Sequence, residues 1–306
     1  MVLDQMLSKL QTKGSFAHAD QAAYEPWRDL KLSAYPIIKK DIFVDMADLA
    51  SPTGKERARA FSIVHRTNFF LYRTLSPVLP GRDATRALAS AFGFRQLDAN
   101  PMADDDGLTQ VTVHEESPKT RYIPYTDRPI RWHTDGYYNA PDRQIRGFIL
   151  HCERSAAEGG ESLLMDHEIA YILLRDQDPA LAEALFHPEA MTVPANETDG
   201  GELRAIQAGP VFSADPASGA LHMRYTARTR SIFWRDDPLV RAAAAALARI
   251  LDDPASPYVI RHRLEPGEGV VCNNVLHGRT GFRDDPALGR RLVWRARSYD
   301  RIASPR

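Results

Sequence analysis

Apolar positions change their period about one third of the way along the chain. In residues 57–75 they recur at mixed spacings of three and four and Pro77 stops the run, which predicts a helix. Residues 83–92 repeat the pattern, with Asp83 placed as the N-cap. The first hundred residues therefore read as mostly helical. From about residue 109, short runs rich in β-formers take over: 109–113, 121–125, 145–152, 162–165, 211–213, 221–225, 258–264, 269–272 and 291–298. Turn residues separate them at Pro118, 127–129, Pro141, Gly159-Gly160 and Pro266-Gly267. Two helical insertions interrupt the series, near 168–175 and at 237–251, where an alanine run spans 242–246 and Pro254 ends the segment. Many short strands suggest a sandwich or a jelly-roll barrel. The expected fold is mainly β with helices, with a double-stranded β-helix (jelly-roll) core over 106–306 with helical insertions, preceded by a helical elaboration over 1–105. The whole of 1–306 is expected to act as a single domain.

Composition narrows the function. Among 306 residues, Lys plus Arg number 39 and Asp plus Glu 40, a net charge of −1. A strongly basic nucleic-acid binder is excluded as the default, because phosphate neutralisation needs excess positive charge. A polybasic membrane-surface protein is excluded on the same ground. No apolar run reaches the ~18 residues of a transmembrane helix, and the opening MVLDQMLSKL carries an acid where a signal peptide needs an apolar stretch. The two cysteines, Cys152 and Cys272, exclude a disulfide scaffold and a Cys-rich zinc module, and read as buried thiols in a reducing compartment. A cytoplasmic protein acting on a small molecule is expected, with no nucleic acid and no membrane as partner; a homo-oligomer is compatible with these features.

The chemistry concentrates in Ile130-Arg-Trp-His133-Thr-Asp135-Gly-Tyr137-Tyr138-Asn139. On a strand, residues two apart share a face, so His133 and Asp135 present an imidazole and a carboxylate side by side. Those are two ligands of the facial triad that holds non-haem Fe(II). The spacing alone is weak, since it recurs at His18/Asp20 and, with glutamate, at His114/Glu116, His151/Glu153 and His187/Glu189. A late apolar strand, Gly269-Val-Val-Cys-Asn273-Asn274-Val-Leu-His277-Gly-Arg279, supplies a third ligand in His277. Gly289-Arg290-Arg291-Leu-Val-Trp-Arg295-Ala-Arg297 follows with four arginines in eight residues.

In ordered combination these segments resemble the taurine-dioxygenase-type (clavaminate-synthase-like) Fe(II)/2-oxoglutarate oxygenases, nearest the γ-butyrobetaine and trimethyllysine hydroxylase branch. The shared pieces are His-Thr-Asp with Tyr-Tyr behind it (133–138), Leu150-His-Cys, Gly159-Gly-Glu-Ser162 running to Asp166, and Leu276-His-Gly-Arg279. They cover roughly residues 109–300. The Cys-containing zinc domain at the N-terminus of the γ-butyrobetaine enzymes has no counterpart. The resemblance implies that His133, Asp135 and His277 hold Fe(II) as both metal ligands and catalytic residues. It implies that 2-oxoglutarate and O2 are cosubstrates, with succinate and CO2 released. The C5 carboxylate of 2-oxoglutarate needs a permanently charged fork, which arginine provides. Arg291 with Arg295 four residues later fits the family pattern, and Arg290 is the rival because strand register decides which side chain points inward. Ser162 matches the position whose hydroxyl supports that carboxylate, or is a turn residue after the two glycines. Aspartate at 135, where the related halogenases have alanine or glycine, implies hydroxylation.

Substrate contacts are read at Tyr137 and Tyr138, beside the metal motif, and at Arg224 in the arginine-rich stretch 224–230. An aromatic cradle would suit a quaternary amine; the arginines would suit a carboxylate, sulfonate or phosphate. The expected activity is hydroxylation of a small polar metabolite. Two other readings stay open: a desaturase or cyclase on the same iron site, and a cupin-like metalloenzyme without 2-oxoglutarate, which would have no need of Arg291. Asn273 and Asn274 either orient His277 or its neighbours, or cap a turn.

Overall fold

A computed structural model of the chain describes residue 16 and residues 21–36, 38–76, 81–99, 107–114, 122–198, 201–215 and 218–303. Pro77, Pro118, Arg121 and the His18/Asp20 pair lie outside them.

The strands build a jelly-roll core flanked by helices. Ten strands make its two larger sheets: β1 (Phe43–Met46), β2 (Phe69–Thr74), β3 (Leu108–Val111), β4 (Ile130–His133), β5 (Gly147–Arg154), β6 (Ser162–Met165), β7 (Ile260–His262), β8 (Glu268–Cys272), β9 (Leu276–Arg279) and β10 (Leu292–Ser298). The six-stranded sheet runs β1-β2-β8-β5-β10-β3 and the four-stranded sheet β7-β6-β9-β4. The chain divides into two compact units.

One unit comprises Pro36–Ile130, Ile145–Leu164 and Val259–Arg306 and contains the six-stranded sheet. Its helix α2 (Gly54–Thr67) starts with a capping box, in which the Thr53 hydroxyl accepts from the Glu56 N–H and the Glu56 carboxylate accepts from the Thr53 N–H. Ala60, Ile63, Val64 and Thr67 form its buried stripe. Asn68, in the left-handed region at φ 60°, ends it. The sequence predicts a helix continuing to 75; the chain instead enters β2, whose first four residues, Phe69-Phe-Leu-Tyr72, are all buried. Four consecutive buried residues put apolar side chains on both faces of β2, and a strand covered on both faces shows no alternation to read. β1 and β2 thus add two strands of the sheet to a region whose described residues before 105 are otherwise mainly helical. Helix α3 (Arg82–Ala91) begins one residue earlier than expected, with Gly81 at the N-cap and Asp83 inside the first turn. Where a strand is predicted at 121–125, Ile123–Tyr125 form a 3-10 turn with Pro124 at its start, since proline lacks the N–H a ladder needs. Gly269 in β8 has a packing reason: a Cβ there would lie 2.3 Å from both the Leu150 carbonyl oxygen and the Tyr72 hydroxyl. That hydroxyl bonds His151 Nδ1 at 2.9 Å, and the two rings stack.

The other unit comprises Met1–Tyr35, Arg131–Gln144 and Met165–Tyr258. Helix α1 (Gln21–Ala34) lies against α4 (His167–Gln177), which is followed by α5 (Pro179–Ala184). α6 (Pro238–Leu251) matches the second expected insertion, with the Asp237 carboxylate capping the Leu239 and Val240 N–H groups. Phe16, Tyr24, Trp27 and Tyr171 form an aromatic cluster. Beneath it Lys31 Nζ, fully buried, meets Asp166 Oδ2 at 2.7 Å and Glu168 Oε2 at 2.5 Å. Both cysteines are free and buried, as expected; burial pushes the Cys152 thiol up to about 12.

Candidate active site

The end of β4 carries the metal motif. Thr134, fully buried, receives the Tyr225 N–H on its hydroxyl at 3.1 Å and gives its own N–H to the Tyr225 carbonyl at 3.0 Å. The Ala227 N–H bonds the Trp132 carbonyl. These ties hold the backbone on either side of His133 straight. Gly136, at φ 65°, then turns the chain sharply after Asp135, and the Asn139 N–H closes the turn on the Gly136 carbonyl at 2.8 Å.

His133, Asp135 and His277 each offer one ligand atom, and these atoms lie within 4.8 Å of one another. His133 Nδ1 lies 2.9 Å from the Arg131 carbonyl oxygen, and His277 Nδ1 lies 2.9 Å from the Val275 carbonyl oxygen. A carbonyl only accepts, so each Nδ1 carries the proton and each Nε2 keeps its lone pair for a cation. Two neutral imidazoles and one carboxylate are the donor set of non-haem Fe(II), and the residues fit that ion. The turn leading into β9 is braced: Asn273 Nδ2 bonds Asn68 Oδ1 at 3.1 Å, and Asn274, at φ 52°, bonds the Ile145 carbonyl at 2.7 Å. The rings of Phe148 and His277 are 4.5 Å apart.

Arg291 and Arg290 are separated by burial. Arg291 is 6 % exposed and its guanidinium hydrogen-bonds nothing among the described residues. Its backbone N–H bonds Asp284 at 3.0 Å, and burial lowers the guanidinium pKa. Arg290 is exposed, with Nη1 on the Val113 carbonyl at 3.1 Å. A buried cation whose guanidinium has no carboxylate on it is costly, which makes Arg291 a candidate to hold an anion. Arg295 is half-buried, paired in register with Leu150 and Thr109. By strand alternation it shares its sheet face with Phe148, the residue against His277. Ser162 is buried at the start of β6, opposite His262.

Tyr137 and Tyr138 are half-buried, their rings edge to face at 5.2 Å. The buried Arg224 spends its donors on backbone carbonyls: Nε on Tyr137 (2.7 Å), Nη1 on Met191 (2.9 Å) and Gly209 (3.3 Å), and Nη2 on Gln207 (2.8 Å). It braces the loop behind the tyrosines. Over the face of Tyr138 lies Arg204, whose Cζ is 5.2 Å from the ring centroid. Arg279 also went unassigned in the sequence. Buried in β9, it donates to the Thr126 and Arg128 carbonyls at 2.7 and 2.6 Å. Burial and the Arg291 charge pull its pKa down to about 9. Both guanidinium groups lie over the Phe282 ring, at 4.6 and 5.4 Å. Its spacing of two from His277 along a strand was the available signal.

Residues 34–297 match the model of the taurine catabolism dioxygenase TauD, TfdA family. The chain belongs to that family. The family is one of dioxygenases, and Fe(II), 2-oxoglutarate and O2 are its metal and cosubstrates. A uridine-5'-phosphate dioxygenase from Amycolatopsis sp is 35 % identical over 171 residues, 53 % of this chain and 58 % of the relative, so the match spans less than two thirds of that protein. A Streptomyces uridine-5'-phosphate dioxygenase is 29 % identical over 203 residues, 62 % of this chain and 69 % of the relative. The fold is also that of asparagine oxygenase in complex with Fe(II), a hydroxyasparagine and succinate (TM-score 0.56, 14 % identity, 97 % of this chain and 91 % of that chain). A taurine dioxygenase from Burkholderia xenovorans shares it as well (TM-score 0.55, 14 % identity, 84 % and 87 %). No helix among the described residues is long and apolar enough to cross a membrane.

Proposed function

We propose that this chain hydroxylates a nucleoside 5'-monophosphate of the uridine type, using one O2 and one 2-oxoglutarate and releasing succinate and CO2. One oxygen atom enters the substrate C–H bond and the other enters succinate. Bound Fe(II) supplies the oxidising chemistry. The chain's own residues do the rest. The Nε2 atoms of His133 and His277 and the Asp135 carboxylate hold the metal. Arg291, with Ser162 and Arg295 beside the same cosubstrate, would anchor the carboxylate of 2-oxoglutarate.

The observation that carries the substrate class is Arg204 above Tyr138, three residues past Asp135. A trimethylammonium of the γ-butyrobetaine kind would meet like charge there, whereas a phosphate would meet its counter-charge. The two uridine-5'-phosphate dioxygenases among the relatives point the same way. Tyr137 and Tyr138 supply faces for a flat base.

The test begins without oxygen. Fe(II) followed by 2-oxoglutarate is expected to produce the visible charge-transfer band of a chelated keto acid, absent in His133→Ala. Succinate release in air is then expected to depend on uridine 5'-monophosphate. A band with succinate release driven by γ-butyrobetaine or an amino acid, and not by the nucleotide, overturns the substrate class. Iron binding without a band overturns the cosubstrate and favours the cupin-like reading.

A further inference from the structure

A cleft of about 450 Å3 opens beside the edge strands of the two larger sheets and has no part in the dioxygenase chemistry described above. Its lining is Lys39, Lys40, Phe43, Asp45, Arg59, Arg73 and His262. β1 edges the six-stranded sheet and β7 the four-stranded one. The edges meet where the Phe43 ring of β1 stands edge-on to the His262 ring of β7, at 5.2 Å.

The charge is lopsided. Four permanent cations stand against one acid in the lining, Asp45, and one acid buried behind it, Glu268. A net charge of about +2 remains with His262 neutral, in a chain whose overall charge is −1. A concave surface of one sign concentrates counter-ions.

Three of the four cations are also held in place. Arg59 Nε bonds the Phe43 carbonyl at 2.9 Å, Arg73 Nε bonds Glu268 Oε1 at 3.0 Å, and Lys39 Nζ reaches the Arg261 carbonyl at 3.4 Å. Arg73 lies over the Phe43 ring at 5.2 Å. His262 Nε2 is tied to Glu268 Oε2 at 2.6 Å. Each arginine is thus anchored through Nε. The terminal nitrogens of Arg59 hydrogen-bond nothing among the described residues, those of Arg73 reach only Asp45, at 3.9 Å, and the Lys40 ammonium has no partner there. Fixed forks lose little entropy on binding an oxyanion, which separates this cleft from a face of freely moving lysines.

We infer that this cleft is a second anion site, taking a small molecule that carries at least two phosphate charges. A diphosphate, free or at the end of a nucleotide, carries that charge, and Lys40, Arg59 and Arg73 supply the donors.

The test uses the full chain loaded with Fe(II) and saturated with 2-oxoglutarate under anaerobic conditions, so that the keto-acid anchor is filled. Inorganic pyrophosphate is titrated calorimetrically into this complex and into the Lys40→Ala/Arg59→Ala double variant, whose altered side chains are exposed and outside the catalytic machinery. One equivalent is expected to bind the wild type, with affinity that falls as NaCl is raised. At least a ten-fold weakening is expected in the double variant, with unchanged 2-oxoglutarate binding and turnover. Single Lys40→Glu is expected to weaken binding further than Lys40→Ala. Equal affinity in wild type and double variant, or no binding to the saturated wild type, overturns the site. Uridine 5'-diphosphate binding as tightly as pyrophosphate assigns recognition to the phosphates alone; tighter binding adds the nucleoside to what is recognised.

Discussion

His277 Nδ1 lies 2.9 Å from the carbonyl oxygen of Val275, two residues earlier in its own chain. His133 repeats the relationship with Arg131. Each imidazole thereby keeps its Nδ1 proton on a carbonyl, the tautomer in which Nε2 is the atom left to hold the proposed Fe(II). Loss of a group that orients a ligand costs metal affinity ~10–100-fold, so loss of the ligand itself should cost more. His277→Ala and His133→Ala are each expected to weaken Fe(II) binding more than 100-fold by anaerobic titration, with the circular dichroism spectrum retained. Wild-type iron affinity in either variant would remove that histidine from the ligand set.

Arg291 and Arg290 test the cosubstrate anchor side by side. Arg291 is buried with its guanidinium uncommitted; Arg290 is exposed and bonded to a backbone carbonyl. Charge-assisted hydrogen bonds contribute about 1.5–3 kcal/mol each, so Arg291→Ala should raise the 2-oxoglutarate requirement roughly 100-fold, about 2.7 kcal/mol. Iron affinity should not change, and Arg290→Ala should stay within two-fold of wild type. The reverse ranking in a succinate-release assay would exchange their roles.

The metal motif was legible because strand geometry converts a spacing of two into a shared face, and because the third histidine follows an apolar run that is a strand, β8. Its supports were not. Thr134 and Tyr225 bond each other across 91 positions, a pairing no local pattern carries. An arginine-rich stretch reads Arg224 as a substrate contact, yet its donors close on four carbonyls from three separate segments. β2 was read as helix because Phe69-Phe-Leu-Tyr72 is buried on both faces, so period cannot separate the two states. The true ends of α2 are set by caps that the apolar spacing passes over: Thr53 and Glu56 where it starts and Asn68 where it stops.

Lys31 shows what such long-range pairings hold in place. Its ammonium is fully buried between Asp166 and Glu168, and it pins α1 to the start of α4. Burial alone would lower its pKa, but the two carboxylates more than offset this and raise it. Removing one member of a buried ion group leaves unpaired charge and costs about 3–5 kcal/mol. Lys31→Met should lower the urea midpoint accordingly, and Lys31→Met with Asp166→Asn and Glu168→Gln should recover part of the loss. A stability change under about 1 kcal/mol in Lys31→Met would mean that the group is solvated in the folded protein.

Glu268 gives a pH-dependent case. Burial pushes its carboxyl pKa up, but hydrogen bonds from His262, the Glu265 N–H and Arg73 outweigh that and hold it below its ordinary 4.5. A lowered folded pKa means that the unfolded chain binds protons more readily, so the carboxylate's contribution is fully present above about 4.5. It is lost as pH falls through the folded value. Glu268→Gln keeps the shape and removes the charge. Urea unfolding at pH 7 should therefore show the variant less stable by about 1–2 kcal/mol, and the gap should close as pH is lowered past 4. A gap that stays constant from pH 7 down to 3.5 would assign the loss to amide packing and not to the carboxylate's hydrogen bonds.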